Sequence, residues 1–191
     1  NKTVTICSGS VFIVTPTTGG GDVVPTGTQY IWTVSTNTNI SGQSNVSTLR
    51  ATISQTLTNL TNTEQTITYT VTPFSGNCNG SPFTIVVTVK PRPVIPDQTT
   101  TVCDNATFSF TPANNPPNTL VPSGTLYTWT IFTNNPNIGG ASSQSTPQST
   151  ISMPLVNNVN TAQTIVFLVT PKYDSCVGAA FKLSVTLNAK P

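Results

Sequence analysis

The sequence predicts an all-β chain made of two tandem immunoglobulin-like β-sandwiches, and three observations lead there. One strand centred on a tryptophan occurs twice, as Tyr30-Ile31-Trp32-Thr33-Val34 and as Tyr127-Thr128-Trp129-Thr130-Ile131. Trp32 and Trp129 are the only tryptophans, and their 97-residue spacing suits one sandwich of immunoglobulin size per copy. Apolar and polar residues alternate with a period of two through most of the chain, and a sustained helical period is missing.

Each element of the first copy can be justified in order. Lys2–Cys7 alternates Thr with Val4 and Ile6 and reads as strand A, and Ser8-Gly9-Ser10 is a turn. Val11–Thr15 is strand B with Phe12 and Val14 inward. The Gly- and Pro-rich stretch Thr17–Thr28 is a loop. Strand C follows, with Tyr30, Trp32 and Val34 on the core face. Asn37–Asn45 is polar, which predicts irregular structure or short edge strands. Thr52–Leu57 is strand E, anchored by Ile53 and Leu57, and Asn59–Gln65 is a turn-rich corner. Thr66–Thr72 is strand F with Ile67, Tyr69 and Val71 inward. Ser75–Pro82 carries the hairpin dipeptide Asn79-Gly80, and Phe83–Val89 returns as strand G with Phe83, Ile85, Val87 and Val89 inward.

Pro91-Arg92-Pro93-Val94-Ile95-Pro96 then interrupts the pattern, and three prolines in six residues favour a stiff, extended connection. The series restarts beyond it, so the predicted domains are residues 1–92 and 93–191. Thr5-Ile6-Cys7 returns as Thr101-Val102-Cys103 and Val24-Pro25-Thr26-Gly27 as Val121-Pro122-Ser123-Gly124. From Ile53/Ile151 onward the offset is 98, pairing Gln65 with Gln163, Val71-Thr72-Pro73 with Val169-Thr170-Pro171, and Cys78 with Cys176. Lys190-Pro191 matches Arg92-Pro93, which predicts a longer array. No signal-peptide pattern opens the chain, so it reads as a mature or excised segment.

Composition narrows the function. Charged residues are 6% of the chain, His is absent and the net charge is +2. The bases Lys2, Arg50, Lys90, Arg92, Lys172, Lys182 and Lys190 are scattered, and nucleic-acid or membrane-surface binding needs them clustered. Apolar runs such as Ile165–Val169 are too short to insert in a bilayer. Thr, roughly one residue in five, joins Asn and Ser as the polar surface of exposed strands.

The two copies also test candidate chemistry. Among the five acids, Asp22 has no acidic counterpart, Glu64 faces Ala162, Asp97 faces Asn1, Asp104 faces Ser8 and Asp174 faces Gly76. A repeated carboxylate pair or calcium site is therefore absent, leaving at most a single-copy calcium site near Asp22 or Asp174. Ser and Cys have no His to serve as base, so nucleophilic catalysis is not expected. Gly19-Gly20-Gly21-Asp22 lacks the Lys and helix of a phosphate loop and reads as a turn. The corner Asn59-Leu60-Thr61-Asn62-Thr63, echoed at Asn157-Asn158-Val159-Asn160-Thr161, reads as backbone capping ahead of sugar binding. Triplets such as Asn45-Val46-Ser47 and Asn105-Ala106-Thr107 are expected by chance in this composition. Trp32 and Trp129 read as core, ahead of sugar platforms. No cofactor or metal is expected.

One pair of cysteines per repeat with no metal spacing points to an oxidising, extracellular compartment. Two pairings stay open. Cys7–Cys78 and Cys103–Cys176 would each close a loop of about 70 residues, contributing on the order of 4 kcal/mol. In an immunoglobulin sandwich, however, the A–B turn and the F–G turn lie at opposite ends, beyond disulfide reach. Head-to-tail repeats would instead pair Cys7 with Cys176 across the junction and leave Cys78 and Cys103 for neighbouring repeats.

The pattern Val/Ile-Cys, Phe-x-Val/Phe-Thr-Pro, Tyr-x-Trp-Thr, Tyr/Phe-x-Val-Thr-Pro, Cys-x-Gly and Phe-x-x-x-Val-x-Val/Leu, carried by both copies, resembles the PKD-like, immunoglobulin-like repeats of giant cell-surface adhesins of Bacteroidota, especially the SprB-type gliding-motility adhesins of flavobacteria. One departure is that PKD domains usually run from Trp into Asp-Phe-Gly-Asp-Gly, whereas Trp32 is followed by Thr33-Val34-Ser35-Thr36. The resemblance implies type 9 secretion, display as an outer-membrane-associated filament, and a stalk whose adhesion comes from length and multivalency. Its expected partners are neighbouring repeats of the same chain, with surface polysaccharide or the substratum beyond them. The alternative function is a carbohydrate-binding accessory module of a secreted polysaccharide-degrading enzyme. That alternative needs a row of exposed aromatics, for which Phe74, Phe132 and Tyr173 are the candidates.

Overall fold

A computed structural model describes residues 1–104 and 107–189. The chain is two tandem immunoglobulin-like β-sandwiches, and it divides into compact units at Asn1–Pro91 and Arg92–Pro191. No helix occurs among the described residues.

Unit 1 contains β1 (Lys2–Cys7), β2 (Ser10–Val14), β3 (Gln29–Val34), β4 (Ile40–Ser41), β5 (Val46–Arg50), β6 (Ile53–Asn59), β7 (Gln65–Ser75), β8 (Cys78–Asn79) and β9 (Phe83–Lys90). One sheet runs β1-β9-β7-β3-β5, with β8 folded back on the end of β7, and the other runs β2-β6-β4. The Trp strand β3 lies inside the larger sheet, between β7 and β5. Period-two alternation brings Tyr30, Trp32, Ile67, Tyr69, Val71, Ile85, Val87 and Val89 to face Phe12, Val14, Ile53 and Leu57 from the other sheet. All of these are buried. Phe12 and Tyr69 stack obliquely with centroids 5.0 Å apart.

Strand β1 joins the larger sheet by pairing parallel with β9, in register from Lys2–Ile85 to Cys7–Lys90. Cys7 therefore sits at the Lys90 end of that sheet. Cys78 sits at the other end, beyond Phe83, in the hairpin where Ser75 pairs with it.

Unit 2 repeats the plan with β10 (Gln98–Cys103), β11 (Phe108–Phe110), β12 (Leu126–Thr133), β13 (Ile138–Gly139), β14 (Gln144–Gln148), β15 (Ile151–Met153), β16 (Val156–Asn157), β17 (Gln163–Tyr173), β18 (Cys176–Val177) and β19 (Phe181–Asn188). Its larger sheet has the order β10-β19-β17-β12-β14, with β18 on β17. The counterpart of β6 is broken into β15 and β16. Pro154 stands where unit 1 has Thr56, and a proline has no N–H for the ladder.

The structure corrects several sequence expectations. Val46–Arg50 is a strand the sequence did not announce. Its residues are all exposed or half-buried on a sheet edge, so no alternation marks it. Strand F extends to Ser75, and the tight turn of the F–G hairpin falls at Gly76-Asn77 instead of Asn79-Gly80. Gly76 adopts φ 58°, which a glycine accepts freely. Gly80 serves a different need: its N–H donates to the Pro73 carbonyl at 2.8 Å, and a Cβ there would lie 2.9 Å from the Pro73 ring. Phe83 is only half-buried, although its alternation points it inward. The expectations placed on Asn105-Ala106 and Lys190-Pro191 lie outside the described residues.

Candidate functional site

The cysteines take two states. Cys7 and Cys176 are disulfide-bonded, whereas Cys78 and Cys103 are free and exposed. Free Cys78 and Cys103 exclude the pairing within repeats, Cys7–Cys78 and Cys103–Cys176. The physical reason is the parallel register of β1 and β9, which puts Cys7 and Cys78 at opposite ends of an eight-residue strand. Such a strand spans about 25 Å, several times the Cα separation a disulfide allows.

The two Trp side chains are packing and clamping elements. Each is 4% exposed, and each indole N–H donates to a loop carbonyl: Trp32 to Ser44 at 3.2 Å and Trp129 to Ser142 at 3.0 Å. Tyr30 and Tyr127 are 2% and 1% exposed. Burial raises the pKa of Tyr30 and pushes that of Tyr127 up to about 12, because the phenolate would lose its hydration. Tyr69 is raised further by the same cause, and its hydroxyl donates to Gln55 Oε1 at 2.7 Å.

Every acid whose contacts are defined does structural work. Asp22 pairs with the Lys2 ammonium at 3.3 Å, and Glu64 lies 3.9 Å from Lys90 Nζ. Asp104 accepts the Asn157 backbone N–H at 2.7 Å, just as its counterpart Ser8 accepts the Asn59 N–H at 3.0 Å. Asp97 accepts the Lys182 N–H at 2.7 Å, while its counterpart Asn1 accepts the Thr84 hydroxyl at 2.8 Å. Asp174 has φ 48° at the turn position that Gly76 fills in unit 1, and Asp is among the few residues that tolerate it. Among the described residues no three His, Cys, Asp or Glu side chains converge as metal ligands.

The Asn corner is a backbone cap. Buried Asn59 donates to the Thr63 and Val89 carbonyls at 2.7 and 2.8 Å and accepts the Thr61 N–H at 2.9 Å. Asn157 repeats this with Thr161, Leu187 and Val159. A second polar clasp escaped the sequence reading. Asn37 and Asn39 both donate to Gln65 Oε1, and Asn135 and Asn137 both donate to Gln163 Oε1. Its signal was the recurring Asn-x-Asn ahead of a recurring Gln.

The three aromatics considered for a sugar platform do not share one environment. Phe74 and Tyr173 are half-buried, and Phe132 is exposed with the Lys182 ammonium 4.4 Å over its ring.

Unit 1 does carry a groove of about 510 Å³ at its Cys78 end. Tyr30, Pro73, Phe74 and Phe83 line it together with Asp22 and Val23. Tyr30 and Phe83 meet there edge to face, with centroids 6.4 Å apart. Val23, at 83% exposed, was not marked by the sequence because it sits in a loop with no periodicity.

A PKD-like domain model matches residues 4–93 and again 100–191, nearly the whole chain. The chain belongs to the PKD-like domain family. No curated protein matches this sequence. Among solved structures, this PKD-like pair is similar to DIP-gamma IG1+IG2, with 12% identity, TM-score 0.38, and 99% of this chain and 95% of that one covered. It is also similar to the titin Ig tandem A164-A165, with 12% identity, TM-score 0.30 and coverage of 99% and 94%. The human desmocollin-1 ectodomain matches at 12% identity and TM-score 0.39, and the PKD-like pair spans 41% of that chain.

Proposed function

We propose that this chain is a non-catalytic stalk segment of a large, secreted cell-surface adhesin, in which attachment arises from length and repetition. The observation that carries this reading is the state of the cysteines. One bonded cysteine is of the A–B type (Cys7) and the other of the F–G type (Cys176), while the two free ones are again one of each type (Cys103 and Cys78). A series in which each A–B cysteine bonds the F–G cysteine of the following repeat accounts for all four states. Cys7–Cys176 is then one covalent link, and Cys78 and Cys103 are the same two positions offered to further repeats. A stalk so linked carries tension across each junction by covalent bonds.

Family membership and the shortage of charge support the role, since Thr-rich, weakly charged surfaces offer few strong contacts to neighbouring filaments. The motif resemblance supports a finer reading, that the parent is a gliding-motility adhesin exported by the type 9 route and gripping surface polysaccharide or the substratum.

A non-reducing peptide map with free thiols blocked tests the series. The expected result is a Cys7–Cys176 cross-link with Cys78 and Cys103 alkylated, and recovery of Cys7–Cys78 or Cys103–Cys176 would overturn it. For the finer reading, antibodies to the chain should label intact gliding cells and stall their movement. Labelling only of lysed cells would count against it. Titration with soluble and insoluble glycans separates the stalk from a carbohydrate-binding module, and a stalk segment binds none specifically.

A further inference from the structure

The groove at the Cys78 end of unit 1 has a counterpart in unit 2, and there it is filled by that repeat's own connecting segment. Val94 and Leu120 form a two-way β-bridge, with N–H to O distances of 2.9 and 2.8 Å. Ile95, 6% exposed, is counted in the unit 2 core. Pro93 is buried, and its carbonyl lies so close to Gly178 that a Cβ on that residue would collide with it.

Unit 1 has the same seat. Gly80 and Pro73 hold each other as Gly178 and Pro171 do, with N–H to O distances of 2.8 and 2.9 Å. Val23 stands where Leu120 stands in unit 2, yet Leu120 is 8% exposed and Val23 is 83% exposed. The same contrast separates Phe181, at 2% exposed, from its counterpart Phe83, which is half-buried. Among the described residues Val23 has no bridge partner and the unit 1 core has no residue in the role of Ile95. An isolated exposed Val would mean little; an exposed Val beside a half-buried Phe, where the sister repeat buries both, marks a missing occupant.

We infer that this groove is the seat for an extended inter-repeat segment of the Pro-Val-Ile-Pro type, which bridges Val23 with its backbone and drops its Ile onto Phe83 and Tyr30. Recognition is by β-addition at one residue plus one apolar pocket, with prolines pre-setting the extended conformation and lowering the entropy lost on docking. The glycine at position 80 keeps the wall clear for the first proline's carbonyl. In unit 2 the Ile lies two residues ahead of Asp97, the counterpart of Asn1, so the same spacing sets the register in which such a segment is to be joined to Asn1. This deepens the stalk reading, from which it takes only the supposition that repeats follow one another.

The test is a chain with Arg-Pro-Val-Ile-Pro fused ahead of Asn1, studied with all four cysteines changed to Ser so that the disulfide series plays no part. Hydrogen exchange at the Val23 amide is the readout. It should slow by about tenfold or more relative to the unfused chain, and the unit 1 unfolding transition should rise. A fusion with the Ile replaced by Asp should restore fast exchange, and Gly80→Val in the Ile fusion should do the same by blocking the wall. Unchanged Val23 exchange in the fused chain, or equal slowing by the Asp fusion, would overturn the proposal. So would an oligosaccharide that protects Val23 in the fused chain, because it would show the groove still open to another ligand.

Discussion

Tyr69 and Gln55 of unit 1 stand at the positions of Phe167 and Met153 in unit 2. The polar pair is bonded, Tyr69 Oη to Gln55 Oε1 at 2.7 Å, and Gln55 also grips the Ser44 backbone, accepting its N–H at 3.1 Å and donating to its carbonyl at 2.8 Å. The apolar pair simply packs, with Phe167 and Met153 both buried. One contact has thus been solved twice, and the two solutions should be exchangeable only as pairs. Tyr69→Phe alone should cost about 1 kcal/mol, because Gln55 Oε1 loses the Tyr69 hydroxyl and keeps only the Ser44 N–H as a donor. Adding Gln55→Met should return part of that loss, with a coupling of about 1 kcal/mol in a double-mutant cycle by urea denaturation. Strict additivity of the two changes would show that the hydroxyl and the amide act independently. The same residue-scale comparison explains the acids. Asp104 for Ser8 and Asp174 for Gly76 keep a backbone duty while changing charge, so a site search that counts carboxylates reads structural substitutions as chemistry.

Most strands were legible because their side chains alternate between a dry and a wet face, as in Ile67-Thr68-Tyr69-Thr70-Val71. Legibility ends where that contrast ends. Val46–Arg50 pairs with the Trp strand from the sheet edge, and with only Val46 touching the core its sequence carries no period. The hairpin dipeptide misled for a related reason: Asn79-Gly80 has turn residues, but Gly80 is needed to let Pro73 approach, and the turn itself lies three residues earlier, at Gly76-Asn77. The groove was illegible because it depends on what packs over Val23, which no local pattern encodes. Close approach also explains Gly42 and Gly140, where the loop after the Trp strand crosses the smaller sheet. Their φ angles are 91° and 77°, and a Cβ would strike the carbonyl oxygen of Thr56 or Pro154. Left-handed backbone costs a non-glycine residue about 1–2 kcal/mol before any clash. Gly42→Ala should therefore lower the melting point of unit 1 by about 10 °C while leaving unit 2 unchanged, and Gly140→Ala should do the reverse. Calorimetry that resolves the two transitions checks this; an unshifted transition in either variant would mean that the loop can move aside.

At the scale of the whole chain, charge is so scarce that the buried phenols become a prominent source of pH dependence on the alkaline side. Tyr30, Tyr69 and Tyr127 all have pKa values raised by burial from the ordinary phenol value of 10.0, with Tyr127 reaching about 12. A raised folded-state pKa means that the unfolded chain gives up its protons first. Below pH 10 both states are protonated and these groups confer no pH dependence. Above it the unfolded state binds fewer protons than the native one, so stability falls as pH rises, with Tyr127 contributing between about 10 and 12. Tyr30 and Tyr69 both lie in unit 1, and Tyr69 is raised more than either of the others. Unit 1 should therefore lose stability more steeply with pH than unit 2. The measurement is a pair of denaturation midpoints followed from pH 8 to pH 12, with tyrosinate absorbance recorded in parallel. Phenolate should appear for the buried tyrosines together with unfolding, and Tyr69→Phe should flatten the unit 1 profile. Ionisation of those tyrosines while both sandwiches stay folded would mean that water reaches the core around Trp32 and Trp129, and that the interior closed by the two Trp clamps opens faster than it unfolds.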